Sequence, residues 1–328
     1  MKKGYKKNKI EFIDLFAGIG GTRIGLEKAC RDLKLENKCV FSSEWDEACQ
    51  KSYNALFGHR PEGDITKQSI KNKIPKKFDI LLAGFPCQPF SSIGGREGFN
   101  NKAQGSLFYH IADILKNKKP AMFLLENVVG LKTHKNKKGE KTIDIIIKIL
   151  ENDLDYHVFM EVLNASDFGV PQDRKRIYIV GFSKKLWPQK DIIGFDFNKL
   201  RKKSTVYINK FLEKGGSARS ITKHLQRVYI NKKKDGRPQI LKFNGKQISK
   251  TLVASYHKIQ RLTGIFVEDG PTGLRLLTEK ECRAIMGFPF DLPSLPVSST
   301  QQYRQYGNSV VVPVIRKISG QMLKIYFR

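Results

Sequence analysis

Residues 10–16, 39–43, 78–83 and 121–125 are apolar runs of strand length separated by helix-length stretches. This alternation limits the fold more than any other feature of the chain. Strands buried on both faces read as continuous apolar runs, so their repetition with helical connections predicts βα units around a mostly parallel sheet. The glycine turn Ala17-Gly18-Ile19-Gly20-Gly21 follows the first run and opens a helix to about residue 33. A helix over 46–57, a third short strand ending near Asp64 and Ile65, a helix near 142–152 and strands around 158–163 and 177–180 continue the pattern. The expected class is α/β with a doubly wound sheet.

Beyond about residue 183 the texture changes. Periodicity weakens, Lys, Asn and Gly dominate, and the turn signal Lys234-Asp235-Gly236-Arg237 predicts hairpins. A chain of 328 residues exceeds the usual single-domain size. We therefore expect a larger domain from 1–183 plus 301–328 and a smaller, irregular mixed domain over 184–300. The stretch 307–323 reads as an amphipathic helix, with Ser309 as its N-cap and Pro313 in its first turn.

Charge and cysteine usage narrow the function classes. Formal net charge is +29 and unevenly spread, since 184–250 holds 19 basic and 4 acidic residues. A cationic field concentrated in one segment suits a polyanion such as nucleic acid. The five cysteines are odd in number and form no CxxC pair, which argues against a disulfide framework and a zinc cluster. No metal is expected. No run approaches the roughly 18 apolar residues of a membrane span, and the basic N-terminus has no apolar signal core, so the expectation is a cytoplasmic protein without membrane contact.

In an open parallel sheet, ligands bind outside the carboxyl ends of the strands, and the unusual residues of this chain fall there. After the first strand comes Phe16 and the turn carrying Gly18, Gly20 and Gly21, where a helix N-terminus favours a negative group. Arg23 stands where a dinucleotide fingerprint would have its third glycine. After the second strand Glu44 could accept hydrogen bonds from a ribose diol beside the aromatic face of Trp45, and after the third Asp64 could accept from an exocyclic amine. Taken singly each is an ordinary turn or cap residue. Together they describe an adenosine pocket without a pyrophosphate site, which points to S-adenosyl-L-methionine rather than NAD.

The fourth and fifth expected strands, 78–83 and 121–125, end in reactive groups. Cys87 in GFPCQPFS lies between two prolines that fix the backbone and remove amide donors, an odd setting for a packing cysteine. Glu126 follows the fifth strand, and Arg174 and Arg176 alternate so as to share one side of an extended chain. Thiol, carboxyl group, arginine and methyl donor together suit methylation of an unreactive aromatic carbon, C5 of cytosine. Thiolate attack on C6, helped by protonation at N3, would make C5 nucleophilic. A nearby cation such as Arg176 should lower the thiol pKa, and burial should raise that of Glu126. The glycine-rich stretch 91–105, with Ser91 and Arg96, reads as a lid over the nucleic acid, and a duplex target base must swing out to react.

In their order and spacing, DLFAGIGG, Glu44-Trp45, Asp64-Ile65, GFPCQPFS, ENV, QDRKR, LLTEKECRAIMGFP and YRQYGNSVVVP resemble the bacterial DNA (cytosine-5-)-methyltransferases. The resemblance spans nearly the whole chain, apart from about 184–250. It implies a Rossmann-like S-adenosyl-L-methionine-dependent methyltransferase fold with a smaller target-recognition domain. It also implies Cys87 as nucleophile, Glu126 as the N3 partner, and Arg174 and Arg176 as base-contacting arginines. Phe16, Gly18, Gly20, Gly21, Glu44, Trp45, Asp64, Ile65, Pro86, Leu107, Asn308 and Val310 would line the cofactor site. The partner implied is double-stranded DNA, contacted by Ser91, Arg96, Lys232, Lys233, Lys234, Arg237 and, in a short Thr-Leu element, Thr251. A monomer acting within restriction–modification, beside a separately acting restriction endonuclease, completes the expectation. The rivals are the same chemistry on tRNA and a non-catalytic DNA-binding regulator. The long basic insertion opposes the first, and the presence of every chemically required residue opposes the second.

Overall fold

The computed structural model describes residues 9–86, 107–136, 138–188, 194–201, 205–215, 219–231, 233 and 237–327. Cys87, Ser91, Arg96, Lys232 and Lys234 lie outside these residues, as does the stretch expected to form a lid.

Six strands form the main sheet: β1 (Lys9–Leu15), β2 (Glu36–Ser43), β3 (Ile80–Gly84), β4 (Met122–Val128), β5 (Tyr156–Asn164) and β6 (Lys175–Ser183). Their order is β2-β1-β3-β4-β6-β5. The first four run parallel, and β6 lies antiparallel between β4 and β5. Side chains alternate across the sheet, which is why its strands carry apolar residues at consecutive positions. Leu82 of β3 and Leu124 of β4 enter one core layer, while Leu81 and Phe123 enter the other.

Helices cover both faces. α1 (Gly21–Asp32) packs with the terminal helix on one side, and α2 (Glu47–Phe57) follows β2, its first turn capped by Asp46 accepting from the Cys49 amide. The one-turn α3 (Gln68–Lys71) precedes β3. On the opposite face, α4 (Leu107–Lys118) precedes β4, and α5 (Gly130–Thr133) and α6 (Thr142–Lys148) connect β4 to β5. The helix expected near 142–152 changes character along its length, α6 continuing as a π-helix over Ile149–Asp153.

Three expectations fail. The third strand near Asp64 and Ile65 is a single parallel bridge between Ser43 and Glu62. Pro61 on one side lacks an amide donor and Gly63 on the other disfavours extension, so the ladder stops after one rung. Ser309 does not cap the terminal helix either. The chain first forms α9 (Ser299–Asn308), for which Ser309 is the C-cap, and α10 (Val312–Tyr326) begins after Val311 with Pro313 in its first turn. Between β6 and α9 lie α7 (Lys223–Leu225), β7 (Gln239–Leu241), β8 (Ile265–Val267) and α8 (Glu279–Ile285). The described strands of this region pair in parallel, not as a hairpin. α8 opens with a capping box of Thr278 and Glu281. Trp187, Phe195 and Phe197 belong to the same buried cluster as α10. Among the described residues no helix is long and apolar enough to cross a membrane.

Candidate active site

The carboxyl ends of β1 to β4 open onto a cavity of about 800 Å³. At its floor the chain leaves β1 through Phe16, whose φ of 54° is a left-handed value that costs energy for any residue other than glycine. Gly18 then donates its amide to Glu44 Oε2 at 2.8 Å, and the Asp46 amide donates to Glu44 Oε1 at the same distance. Glu44 is thereby held at the end of β2 with lone pairs to spare. Burial raises its pKa, and the two amides oppose that shift. Next to it Trp45 is 70% exposed, an indole that no core demands. Gly21 brings a second segment to the floor: a Cβ there would meet Ser309 Oγ at 2.8 Å and Val310 Cγ2 at 2.9 Å.

Of the residues expected around a cofactor, all but Gly20 line this cavity. A Cβ at Gly20 would meet the Phe57 ring at 2.3 Å, so that glycine faces away from the cavity, towards α2. Asp64 also ties down its own turn, accepting from the Thr66 amide at 2.9 Å. Sequence reasoning missed Gln301, Arg304 and Gln305, which bring α9 to the wall. For Arg304 and Gln305 the signal is the YRQYGN motif, of which only Asn308 is expected at the site; Gln301 precedes that motif.

The reactive carboxyl group lies beside this floor. Glu126 is 8% exposed near the end of β4, aligned with Gly84 of β3 and Tyr178 of β6. Two residues along the antiparallel neighbour put Arg176 on the same face, and its Nε stands 3.3 Å from Glu126 Oε1. Burial drives the Glu126 pKa up, and Arg176 and then Arg174 draw it back. The net direction is upward, towards a carboxyl group that can carry a proton.

Arg174 behaves differently. It is 3% exposed, and its guanidinium donates to the carbonyls of Leu252 at 2.8 Å, Gly307 at 3.0 Å and Ser309 at 2.8 Å. Burial and the neighbouring Arg176 bring it down to about 10, so it stays charged at neutral pH. Gln172 accepts from the Leu252 amide at 2.9 Å, and Thr251 Oγ1 donates to the Asp173 carbonyl at 2.7 Å. The QDRKR run is thus the seam that holds the Thr-Leu element. Asn127, unassigned in the sequence, donates through Nδ2 to the Phe85 carbonyl at 2.9 Å and so anchors the chain entering Pro86. Thr251, Lys233 and Arg237 do not line the cavity, and the last two are exposed.

Comparison with known proteins gives the family and the fold. The family model described as C-5 cytosine-specific DNA methylase matches residues 10–324. The type II methyltransferase M.BsuFI of Bacillus subtilis is 52% identical over 314 residues, covering 96% of this chain and 72% of the relative. M.MspI of Moraxella sp. is 49% identical over 321 residues, covering 98% and 72% respectively. Among solved structures, the Dnmt2 methyltransferase of S. pombe superposes with a TM-score of 0.75 at 17% identity, over 96% of this chain and 98% of that one, a likeness of fold.

Proposed function

The chain belongs to the C-5 cytosine-specific DNA methylase family, and from that premise we propose how its residues methylate cytosine. It is a DNA (cytosine-5-)-methyltransferase of the type II restriction–modification kind. The observation that carries the mechanism is the buried Glu126 with its pKa raised, 3.3 Å from Arg176 on the rim of the cavity.

S-adenosyl-L-methionine, when bound, supplies an electrophilic methyl group on a sulfonium. The cavity suits it. Glu44 offers carboxylate lone pairs for ribose hydroxyls, Trp45 an aromatic face for adenine, and the α1 N-terminus, whose N-cap is a glycine without a side-chain acceptor, a seat for a carboxylate. Its volume of about 800 Å³ lies in the usual range of small-molecule sites.

The target cytosine swings out of the duplex at a cost of a few kcal/mol. The Cys87 thiolate adds to C6 while protonated Glu126 delivers its proton to N3, and Arg176 holds both the carboxyl group and the ring. C5, now enamine-like, takes the methyl group. Loss of the C5 proton to a base then expels the thiolate, and N3 returns its proton to Glu126. Arg174 acts at one remove, as a positioning residue, because its guanidinium is engaged with three carbonyls. The 184–300 region, with Lys232, Lys233, Lys234, Arg237 and Thr251, contacts DNA, and Ser91 and Arg96 add contacts to it. Incubation with radiolabelled S-adenosyl-L-methionine and either duplex DNA or tRNA tests the reading. Label recovered as 5-methylcytosine from the duplex alone is expected; label in tRNA alone would contradict it.

A further inference from the structure

A lysine-rich turn lies on the catalytic edge of the sheet, outside every motif used above. Residues 132–141 hold five lysines and one acid. The described lysines, Lys132, Lys135, Lys138 and Lys141, are all exposed. A run of charge by itself would be a solvated face, but the described residues of this one are tied by hydrogen bonds. Asn136, 7% exposed, accepts from the amides of Lys138 at 2.9 Å and Glu140 at 3.0 Å. Its Nδ2 donates to Glu140 Oε2 at 2.9 Å, which engages the one carboxylate of residues 132–141 inside the turn. Lys135 and Lys141 close it as an antiparallel bridge, and Gly139 takes the left-handed φ of 80° that its tip requires.

Topology decides where these charges stand. β4 and β5 both run antiparallel to β6 and hence parallel to each other. The α5–α6 connection must therefore leave the carboxyl edge of the sheet and return to the amino edge, and the turn comes before α6. It occupies the edge at which Glu126, the glycine turn and Glu44 also end their strands. The nearest residue of β4, Val128, is 40% exposed.

We propose that this turn is a second DNA contact, on the catalytic domain itself, that grips the phosphate backbone through Lys135, Lys138 and Lys141. The proposal rests on the reading of the chain as a DNA methyltransferase. Lysine suits the task, as a flexible point charge that neutralises phosphate without reading sequence. Such a contact adds affinity that salt removes and leaves the chemical step alone.

The test is equilibrium binding of the full-length protein to a duplex between 50 and 200 mM salt, with the wild type, a Lys135→Gln/Lys138→Gln/Lys141→Gln variant and the corresponding triple Lys→Arg variant. Each lost phosphate contact removes about 0.9 from the log–log salt slope, so the Gln variant should be shallower by ~2.7. Over that fourfold salt range, the wild type should then lose about 40-fold more affinity than the Gln variant. The Arg variant should keep the wild-type slope, and kcat should be unchanged in all three. Equal slopes for the wild type and the Gln variant, with S-adenosylhomocysteine affinity intact, would overturn the inference while leaving the function standing. A wild type without salt-dependent duplex affinity would overturn both.

Discussion

Asp14 lies on β1 just before the glycine turn, completely buried, with Thr22 Oγ1 donating to its Oδ1 at 2.6 Å and Oδ2 without a partner among the described residues. Burial raises its pKa from the ordinary aspartate value of 3.8 to about 7, the Thr22 hydroxyl opposing the shift. A raised carboxyl pKa means that the folded state holds a proton the unfolded state has released. Stability from this group is therefore present at acidic pH, lost as pH rises from about 4 to about 7, and flat above. In urea unfolding, the wild type minus Asp14→Asn difference should show that fall; a difference independent of pH would refute it. Glu126 obeys the same sign in its chemistry. Its acid form persists above the ordinary carboxylate range, and activity should decline as pH rises through its elevated pKa. Glu126→Gln cannot donate to N3, and kcat should fall by about 10²–10⁴, read in single-turnover methyl transfer. Much of this was legible in advance, because a carboxyl group ending an apolar run in an α/β sheet has few destinations other than the cleft. The pairing of Arg176 with Glu126 needed the antiparallel register of β6, which no spacing reveals.

At the scale of elements, α9 was the blind spot. Its segment is polar and carries Gly307, so of its residues only the last two fall in a predicted helix, that of 307–323. The glycine serves approach. A Cβ at Gly307 would stand 2.4 Å from the Val253 carbonyl carbon and 2.5 Å from the Ala254 nitrogen. Backbone cannot yield as a side-chain tip can, so Gly307→Ala should push α9 away from the Thr-Leu element and cost about 1–3 kcal/mol. Thermal unfolding reads the loss, and an unchanged midpoint with wild-type methyl transfer would contradict the packing. The strands of the sheet were easier to find because burial on both faces writes them as continuous apolar runs. The missing third strand was a false reading of a short segment with Pro61 and Gly63 beside its single rung.

Across the whole molecule, Arg174 joins parts of the chain that sequence cannot show to be neighbours. Its hydrogen bonds reach carbonyls 78, 133 and 135 residues away. One guanidinium therefore ties β6 to the Thr-Leu element and to the α9–α10 junction that lines the cofactor cavity. Lysine, with a single ammonium, cannot span three carbonyls, and each hydrogen bond to a charged group contributes about 1.5–3 kcal/mol. Arg174→Lys should weaken S-adenosylhomocysteine and DNA binding together, each by about tenfold or more, while the Glu126–Arg176 pair keeps kcat near normal. A selective loss of kcat with both affinities intact would instead put Arg174 on the base.

The account rests on a transient bond between sulfur at Cys87 and C6 of a flipped cytosine, and a duplex carrying 5-fluorocytosine at the target tests it most directly. After addition and methyl transfer, C5 bears fluorine in place of the proton whose loss would release the enzyme. With S-adenosyl-L-methionine present, the protein should become attached to the duplex in a denaturant-stable adduct, with the modified peptide containing Cys87. Efficient methylation of ordinary duplex DNA without any such adduct, or an adduct mapped to another residue, would contradict the mechanism.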